Sequence, residues 1–489
     1  MTPNRRNTSV LAAHQHRSAT VFMGIVVLIG AAVWAGQHAL ALSQVKDHTG
    51  SRMLAVWVSL FTLLMIQTFL YHLERPRRLT PRTARQLKGL HVSILVPVFN
   101  EDPGYLRLGL ESFLHQSRLP DSVHIVDDGS TSTDYAELRN WWHLEAHRLG
   151  IETTWQRVPN GGKRHAQANG VRVSPNADIY VTVDSDSCLA PNALEQLLIP
   201  FGRRKVQAVA GIVLATNNRG PQRPELHRAS GGRMPWPSRV AKLVRWRGQQ
   251  CFSRVTDLWL VTSQLVDRSG QSALGSVLVN SGPLAAYRAE VIRDNLGSYL
   301  NETFMGRPVM LSDDSMLTLY AALRGPTVQQ SSAVVFTAMP EKVSHFTRMY
   351  LRWMRGSTIR SIWRMRYLPL HRPSYWLHLL RWFEMILGQM VLAWLLIVEP
   401  LRYHNPPTTA MLAVPFLIGW AQGLRYLGVI RSDERIRSRA VTWLMMPLAI
   451  LMGWTVLRVL HWYGMATCAK TGWGTRQNGA EVALETSSA

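Results

Sequence analysis

Apolar residues are arranged along this chain in two distinct ways. Residues 19–43 (ATVFMGIVVLIGAAVWAGQHALALS) and 53–73 (MLAVWVSLFTLLMIQTFLYHL) are long and nearly free of charge, each near the ~20 residues that a helix needs to cross a bilayer core. Three more such stretches come late in the chain, at 374–401, 409–430 and 441–462. Between the two groups the pattern changes. SILVPVF (93–99), SVHIV (122–126), DIYVTV (178–183) and VQAVAGIVL (206–214) are short, continuous apolar runs, as strands buried on both faces require. GYLRLGLESFLHQS (104–117) and NALEQLLIPFG (192–202) have helical spacing. This alternation predicts an α/β domain on a mainly parallel sheet, with ligands at the carboxyl ends of its strands. Residues 341–372, rich in Arg, Trp, Met and Tyr, predict amphipathic helices at a membrane interface.

Charge orients these stretches. The first lacks a small-residue cleavage site and the second follows at once, which makes the pair an anchor hairpin rather than a signal peptide. Arg5, Arg6 and Arg17 precede the pair, and Arg75, Arg77, Arg78, Arg82, Arg85 and Lys88 follow it, while the loop between carries only Lys46 and Arg52. Both ends of the hairpin therefore face the cytoplasm. The net charge of +23 suits an anionic leaflet, an anionic substrate or both. Nucleic acid is set aside as a partner, because membrane stretches bracket the polar region and no recognised nucleic-acid motif is present. Cys188, Cys251 and Cys468 are far apart and read as free thiols in a reducing compartment. Within 374–401, Arg381 and Glu384 lie three apart on one helical face, so they can pair or line a polar path rather than face lipid.

The polar residues that end the strands carry the candidate chemistry. In VTVDSDSCLA (181–190) an extended VDSD would place Asp184 and Asp186 on one face, a pair that suits a hard divalent ion or a solvated acidic turn. Asp127 and Asp128 end another apolar run and fit either a ligand or a DDGS turn. Lys163 and Arg164 follow two glycines and open a helical stretch, where cations and backbone N–H groups can meet an anion. Ser312 or Asp313 can cap the helix beginning MLTLYAALR.

Taken together, VPVFNED (96–102), VDDGST (126–131), GGKRHAQ (161–167), VDSDS (183–187), NSGPLAAYR (280–288), LSDDSML (311–317) and LRW (351–353) resemble the processive family-2 glycosyltransferases. These are membrane enzymes with a GT-A catalytic domain, among them the cellulose, chitin and hyaluronan synthases. QSALGSVLVNSGPLAAYR (271–288) and TGWGTR (471–476) look most like the hyaluronan synthases and their chitin-oligosaccharide relatives. The resemblance implies roles residue by residue. Asp127 and Asp128 would meet uracil or ribose, Lys163 and Arg164 the anionic nucleotide, and Asp184 with Asp186 a Mg2+ or Mn2+ ion that neutralises the diphosphate. Asp314, beside Asp313, matches the last residue of the family's TED or GDD triplet and would be the general base. Arg352 and Trp353 match the Arg-Trp of QxxRW, serving diphosphate and acceptor sugar; Met349 stands in the Gln position. Gly282 and Pro283 would shape an acceptor-side loop in which Arg288 supplies a cation. Trp473 and Thr475 would belong to a gating loop that closes over the nucleotide, shortened because Arg476 follows Thr475 directly.

The implied organisation is a cytosolic tail (1–18), a transmembrane hairpin (19–73), a GT-A domain (91–335), interface helices (336–373), a C-terminal transmembrane region (374–467) and a gating motif with a disordered tail (468–489). The implied activity is inverting, processive polymerisation of UDP-N-acetylglucosamine and UDP-glucuronate to hyaluronan at the cell membrane, with the growing polysaccharide and membrane lipids as partners. A chitin-oligosaccharide synthase using UDP-N-acetylglucosamine alone, or a single-transfer enzyme acting on a lipid carrier, are the alternatives. A cytosolic gating motif needs an even number of crossings after the catalytic domain, yet three stretches are present. The pattern therefore predicts one broken crossing or interfacial stretch, most plausibly within 441–467, where Pro447 and Gly453 fall.

Overall fold

The computed structural model describes residues 74–217, 235–404, 409–428 and 435–472. The N-terminal tail and hairpin, and the gating residues Trp473 and Thr475, lie outside the described residues.

The apolar runs become strands because a sheet covered on both faces removes every side chain of a strand from water. β1 (Val92–Val98), β2 (Ser122–Asp127), β4 (Ile179–Thr182) and β6 (Ala208–Ala215) are buried along their whole length. β3 (Glu152–Arg157) is the partly exposed edge beside β2. β5 (Ser187–Leu189), β7 (Ala285–Arg288) and the long β10 (Thr327–Thr337) complete an eight-stranded sheet in the order β3-β2-β1-β4-β7-β6-β10-β5. The sheet is parallel from β3 to β4, but β7 enters antiparallel to both neighbours, and β5 pairs antiparallel with β10. A short hairpin, β8 (Thr303–Phe304) with β9 (Arg307–Pro308), stands apart.

Helices cover both faces. α1 (Pro81–Lys88), α2 (Pro103–Leu114), α3 (Ala136–Arg148), α4 (Lys163–Val173) and α5 (Ala193–Leu198) follow the first strands. α2 is capped by Asp102, whose carboxylate accepts from the Gly104 and Tyr105 amides, with Pro103 at the first turn. Gly109 on α2 admits the turn after β4: a Cβ there would lie 2.8 Å from the Ser187 carbonyl oxygen. α6 (Trp236–Ser263) runs into a five-residue π segment, Gln264–Arg268, and then α7 (Ser269–Ala273). Such widened turns re-aim side chains and recur at functional sites.

The C-terminal third is helical. α8 (Asp313–Arg324) packs on the sheet, and α9 (Val343–Tyr367) is one continuous helix with ten residues buried. α10 (Pro373–Ala393) continues through a second π segment, and Pro373–Arg402 together is long and apolar enough to cross a membrane. α11 (Thr409–Leu427) follows. The last apolar stretch is broken into α12 (Ile436–Trp443), α13 (Met446–Trp454) and α14 (Val456–Ala466), with a 43° bend after α12. Pro447 sits in the first turn of α13.

Candidate active site

The carboxyl ends of β1 and β4, the loop before β7 and the start of α8 enclose a cavity of about 690 Å³, bordered on its far side by α6 and α9. Among the residues singled out from sequence, Asp128, Lys163, Asp184, Asp186, Gly282, Pro283, Asp313, Asp314, Arg352 and Trp353 all line it. Asp127 and Arg164 do not.

Lys163 opens α4 after Gly162, whose φ of +88° is cheap only for glycine. Its ammonium lies 2.7 Å from Asp184 Oδ1 and 3.1 Å from Asp313 Oδ2, bridging the β4 turn to the start of α8. Burial alone would lower the Lys163 pKa, but the Asp184 and Asp313 carboxylates outweigh it and hold the ammonium charged. Asp313 is the converse: burial would raise it, yet Lys163 and Arg164 hold it below the usual carboxylate range. Asp314 accepts from the Ser315 amide at 2.6 Å. Burial and the neighbouring Asp313 charge push it up to about 6. Two adjacent carboxyls are thus driven apart, the signature of a pair in which one remains an anion and the other titrates near neutrality. Ser312 stands at the N-cap of α8 in a left-handed conformation and makes no side-chain cap, so the anticipated capping by its hydroxyl is not formed.

Asp184 and Asp186 differ from expectation in backbone. β4 stops at Thr182, and the Ser187 amide donates to the Asp184 carbonyl at 3.1 Å, so the pair sits on a turn rather than on an extended strand. Both carboxylates still face the cavity, because Ser185 between them points inward and donates to Glu101 Oε2 at 2.7 Å. Glu101 is 1 % exposed, and its backbone is pinned in turn by Tyr135 Oη. Its supporting role had only one sequence signal, its place at the end of an apolar run. Among the described residues no group of three His, Cys, Asp or Glu side chains converges as a metal site. Two hard oxygen donors on the cavity wall nevertheless fit Mg2+ or Mn2+, which usually bind through one or two carboxylates and substrate phosphates. The donor set fits the ion.

The DDGS segment does turn-making work. Asp127 accepts from the Ser130 amide at 2.9 Å, with Arg157 Nε 3.7 Å away. Asp128 accepts from the Gly161 and Gly162 amides at 2.9 and 2.8 Å, tethering the loop that launches Lys163, and burial raises its pKa. Gly282 lies close to the charged cluster: a Cβ there would stand 3.1 Å from both Asp184 Oδ2 and Lys163 Nζ, so one of them would have to give by a few tenths of an ångström. Arg288 is not part of the acceptor side; its guanidinium donates to the Val206 and Phe201 carbonyls, away from the cavity. Arg164 also departs from expectation. It is 4 % exposed and turns inward to Glu302, because successive residues on a helix diverge by about 100° and only one of Lys163 and Arg164 can face the site.

On the far wall, Trp353 and Met349 belong to an apolar cluster with Phe346, Tyr350 and Leu457, so the thioether occupies its position by packing. Trp259, Asp267 and Arg268 also line the cavity, and Arg268 donates to Ser281 Oγ at 2.6 Å. Sequence pattern had no signal for these, since their orientation depends on α6 and its π segment. A second cavity of about 420 Å³ adjoins the first, sharing Trp259, Ser263, Asp267, Gln271, Met354, Ser357 and Arg381. It runs among α6, α9, α10, α11, α13 and α14, and both Arg381 and Glu384 line it.

The chain with this mixed α/β sheet and its acid-and-lysine cavity is a glycosyltransferase by its likeness to known proteins. Residues 93–294 match the family described as Glycosyl transferase family 2, and the chain belongs to that family. It is similar to the hyaluronan synthase of Streptococcus pyogenes serotype M3, 31 % identical over 424 residues covering 86 % of this chain and 90 % of that protein. An N-acetylglucosaminyltransferase of Bradyrhizobium diazoefficiens is 25 % identical over 79 % of this chain and 71 % of its own length. Among solved structures, the mannosyltransferase PcManGT from Pyrobaculum calidifontis, in complex with GDP-Man and Mn2+, aligns at a TM-score of 0.44 and 17 % identity over 86 % of this chain and 98 % of that one.

Proposed function

We propose that this glycosyltransferase is a membrane-embedded, processive, inverting hyaluronan synthase that draws alternately on UDP-N-acetylglucosamine and UDP-glucuronate and passes the growing polysaccharide outward. The observation that carries this reading is the pair of adjoining cavities, one holding the carboxylates and lysine, the other walled by the apolar C-terminal helices. Similarity to the streptococcal hyaluronan synthase over most of both chains supports the choice of sugars.

In this reading the acceptor hydroxyl attacks the anomeric carbon, the bond from that carbon to the diphosphate breaks, and UDP departs with the electron pair. Asp314 takes the hydroxyl proton. Lys163 and Arg352 offset phosphate charge, Trp353 offers an apolar face to the acceptor sugar, and Asp128 borders the nucleotide. Asp184 and Asp186 would hold Mg2+ or Mn2+, which supplies positive charge to the leaving diphosphate. Trp473 and Thr475 would close the site. The domain limits given above are part of the proposal, as are the amphipathic seating of α9 at the interface and a multi-pass topology with a cytosolic catalytic domain. Exposed apolar side chains on the late helices, such as Leu401 at 75 % and Val459 at 69 %, support lipid contact. The bend after α12 supports a broken crossing in the last stretch.

The deciding assay supplies each UDP-sugar alone and then both, with product digested by hyaluronidase or chitinase. Polymer is expected only with both donors and is expected to yield to hyaluronidase. Product from UDP-N-acetylglucosamine alone, cut only by chitinase, would favour the chitin-oligosaccharide reading, which the rhizobial similarity keeps in view. Full activity of Asp186→Ala in chelator would remove the metal from the scheme.

A further inference from the structure

Arg164 enters a buried knot centred on Glu302, just before β8. The Glu302 side chain is 5 % exposed, and that of Arg360 on α9 is fully buried. One carboxylate serves three side chains: Arg164 Nη1 donates to Oε2 at 2.6 Å, Arg360 donates through both terminal nitrogens, with Nη2 2.7 Å from Oε2, and Trp363 Nε1 donates to Oε1 at 2.8 Å. Burial alone would raise the Glu302 pKa; Arg360 and Arg164 outweigh it and keep the carboxyl below its usual range.

The outward-facing donors of this knot converge on two peptide carbonyls. Arg164 Nη2 donates to the Leu311 oxygen at 2.8 Å, and Arg360 Nη2 to the same oxygen at 3.3 Å. Arg360 Nε donates to the Ser312 oxygen at 3.3 Å. Leu311 and Ser312 immediately precede Asp313 and Asp314. Ser312 has φ 52° and ψ 51°, a region that non-glycine residues seldom occupy unless their surroundings impose it. A carboxylate that aligns two planar guanidinium forks can impose it, because each fork has its donors at fixed angles.

We propose that Glu302 is a positioning residue for glycosyl transfer: by aligning Arg164 and Arg360 on the Leu311 and Ser312 carbonyls, it orients Asp314 and ties that orientation to the seating of α9. The helix that bears Arg352 and Trp353 thereby sets the aim of the base at the opposite wall. The inference rests on the reading of Asp314 as general base.

Glu302→Gln leaves two guanidiniums facing one neutral amide, so it lowers stability whatever its role. The informative variant replaces the whole buried triad, Arg164→Met with Glu302→Met and Arg360→Met, because exchange of a complete buried ionic group for apolar side chains is frequently tolerated. Its unfolding temperature and UDP affinity are expected to stay near wild type, with kcat about 30-fold lower or more and donor KM within about threefold, the cost of a misaimed group. Recovery of kcat together with stability, or a loss confined to UDP affinity, would overturn the proposal. If the triad variant does not fold, Arg360→Lys keeps the charge but loses the fork; about tenfold lower kcat at unchanged KM is expected, and wild-type kcat overturns the idea. Asp314→Asn measured alongside separates the two claims. Wild-type turnover in Asp314→Asn would remove the base itself, whereas an inactive Asp314→Asn beside a fully active triad variant would refute only the role of Glu302.

Discussion

In the proposed mechanism Asp314 combines a catalytic requirement with a structural cost. Its pKa of about 6 lies above the ordinary 3.8, so between those values the folded chain holds a proton that the unfolded chain has released. Ionising Asp314 therefore costs stability as pH rises through that window, whereas Asp313, held low, contributes stability that is lost as pH falls through its depressed folded pKa. As a base, Asp314 works only when ionised, so kcat is expected to fall about tenfold per unit as pH drops below about 6. Asp314→Asn is expected to cut turnover by about 10²-fold or more while UDP still binds and the melting temperature near neutral pH holds or rises. Titration calorimetry with UDP and a thermal melt check both halves; a lower melting temperature with lost UDP binding would make Asp314 structural. At this scale the sequence was informative wherever one residue's type dictated its surroundings. A carboxylate pair opening a helix was legible from its residue types; Lys163 was singled out as a cation at a helix start, but its pairing with Asp184 and Asp313 was not legible, since they lie on distant turns. Nor was Arg164, because its direction follows from helix geometry and from Glu302, which lies 138 positions away.

The elements most faithfully foreshadowed are those whose whole surface is buried. Continuous apolar runs marked β1, β2, β4 and β6 to within two residues. ETTWQR of β3 escaped notice since a half-exposed edge needs no continuous run, and β10 (TVQQSSAVVFT) hides its strand behind a polar middle. The antiparallel entry of β7 was equally hidden, because strand direction is set by chain path and leaves no local pattern. Contact between elements is where substitutions act most sharply. On α9, a Cβ at Gly356 would run into the Ser312 side chain, while Gly248 on α6 has nothing within 4 Å. Gly356→Ala is thus expected to cost about 1–3 kcal/mol and to lower activity at least tenfold by pushing α9 off the start of α8. Gly248→Ala is expected to gain up to about 1 kcal/mol with activity unchanged. Melting curves and initial rates of the two variants provide the check, and equal effects would deny that α9 presses on Ser312.

At the scale of the molecule, an α/β domain ahead of a helical C-terminal third was readable because short continuous runs and long apolar stretches follow different rules of burial. The break in the last apolar stretch was also foreseeable, from Pro447 and Gly453, although the 43° bend falls earlier, between Trp443 and Met446. What no pattern disclosed was that the two cavities have a wall in common, built from α6, α9 and α10. In the proposed synthase, that common wall would make product size a matter of kinetic competition. After each addition the polymer either advances past residues such as Ser357 or dissociates, and the ratio of those two rates fixes the mean degree of polymerisation. Ser357→Leu, which narrows the doorway without touching the carboxylates, is therefore expected to leave the first transfer to a short acceptor intact and to shift the mass distribution of the polymer downward; an unchanged distribution on gel filtration would place the exit elsewhere.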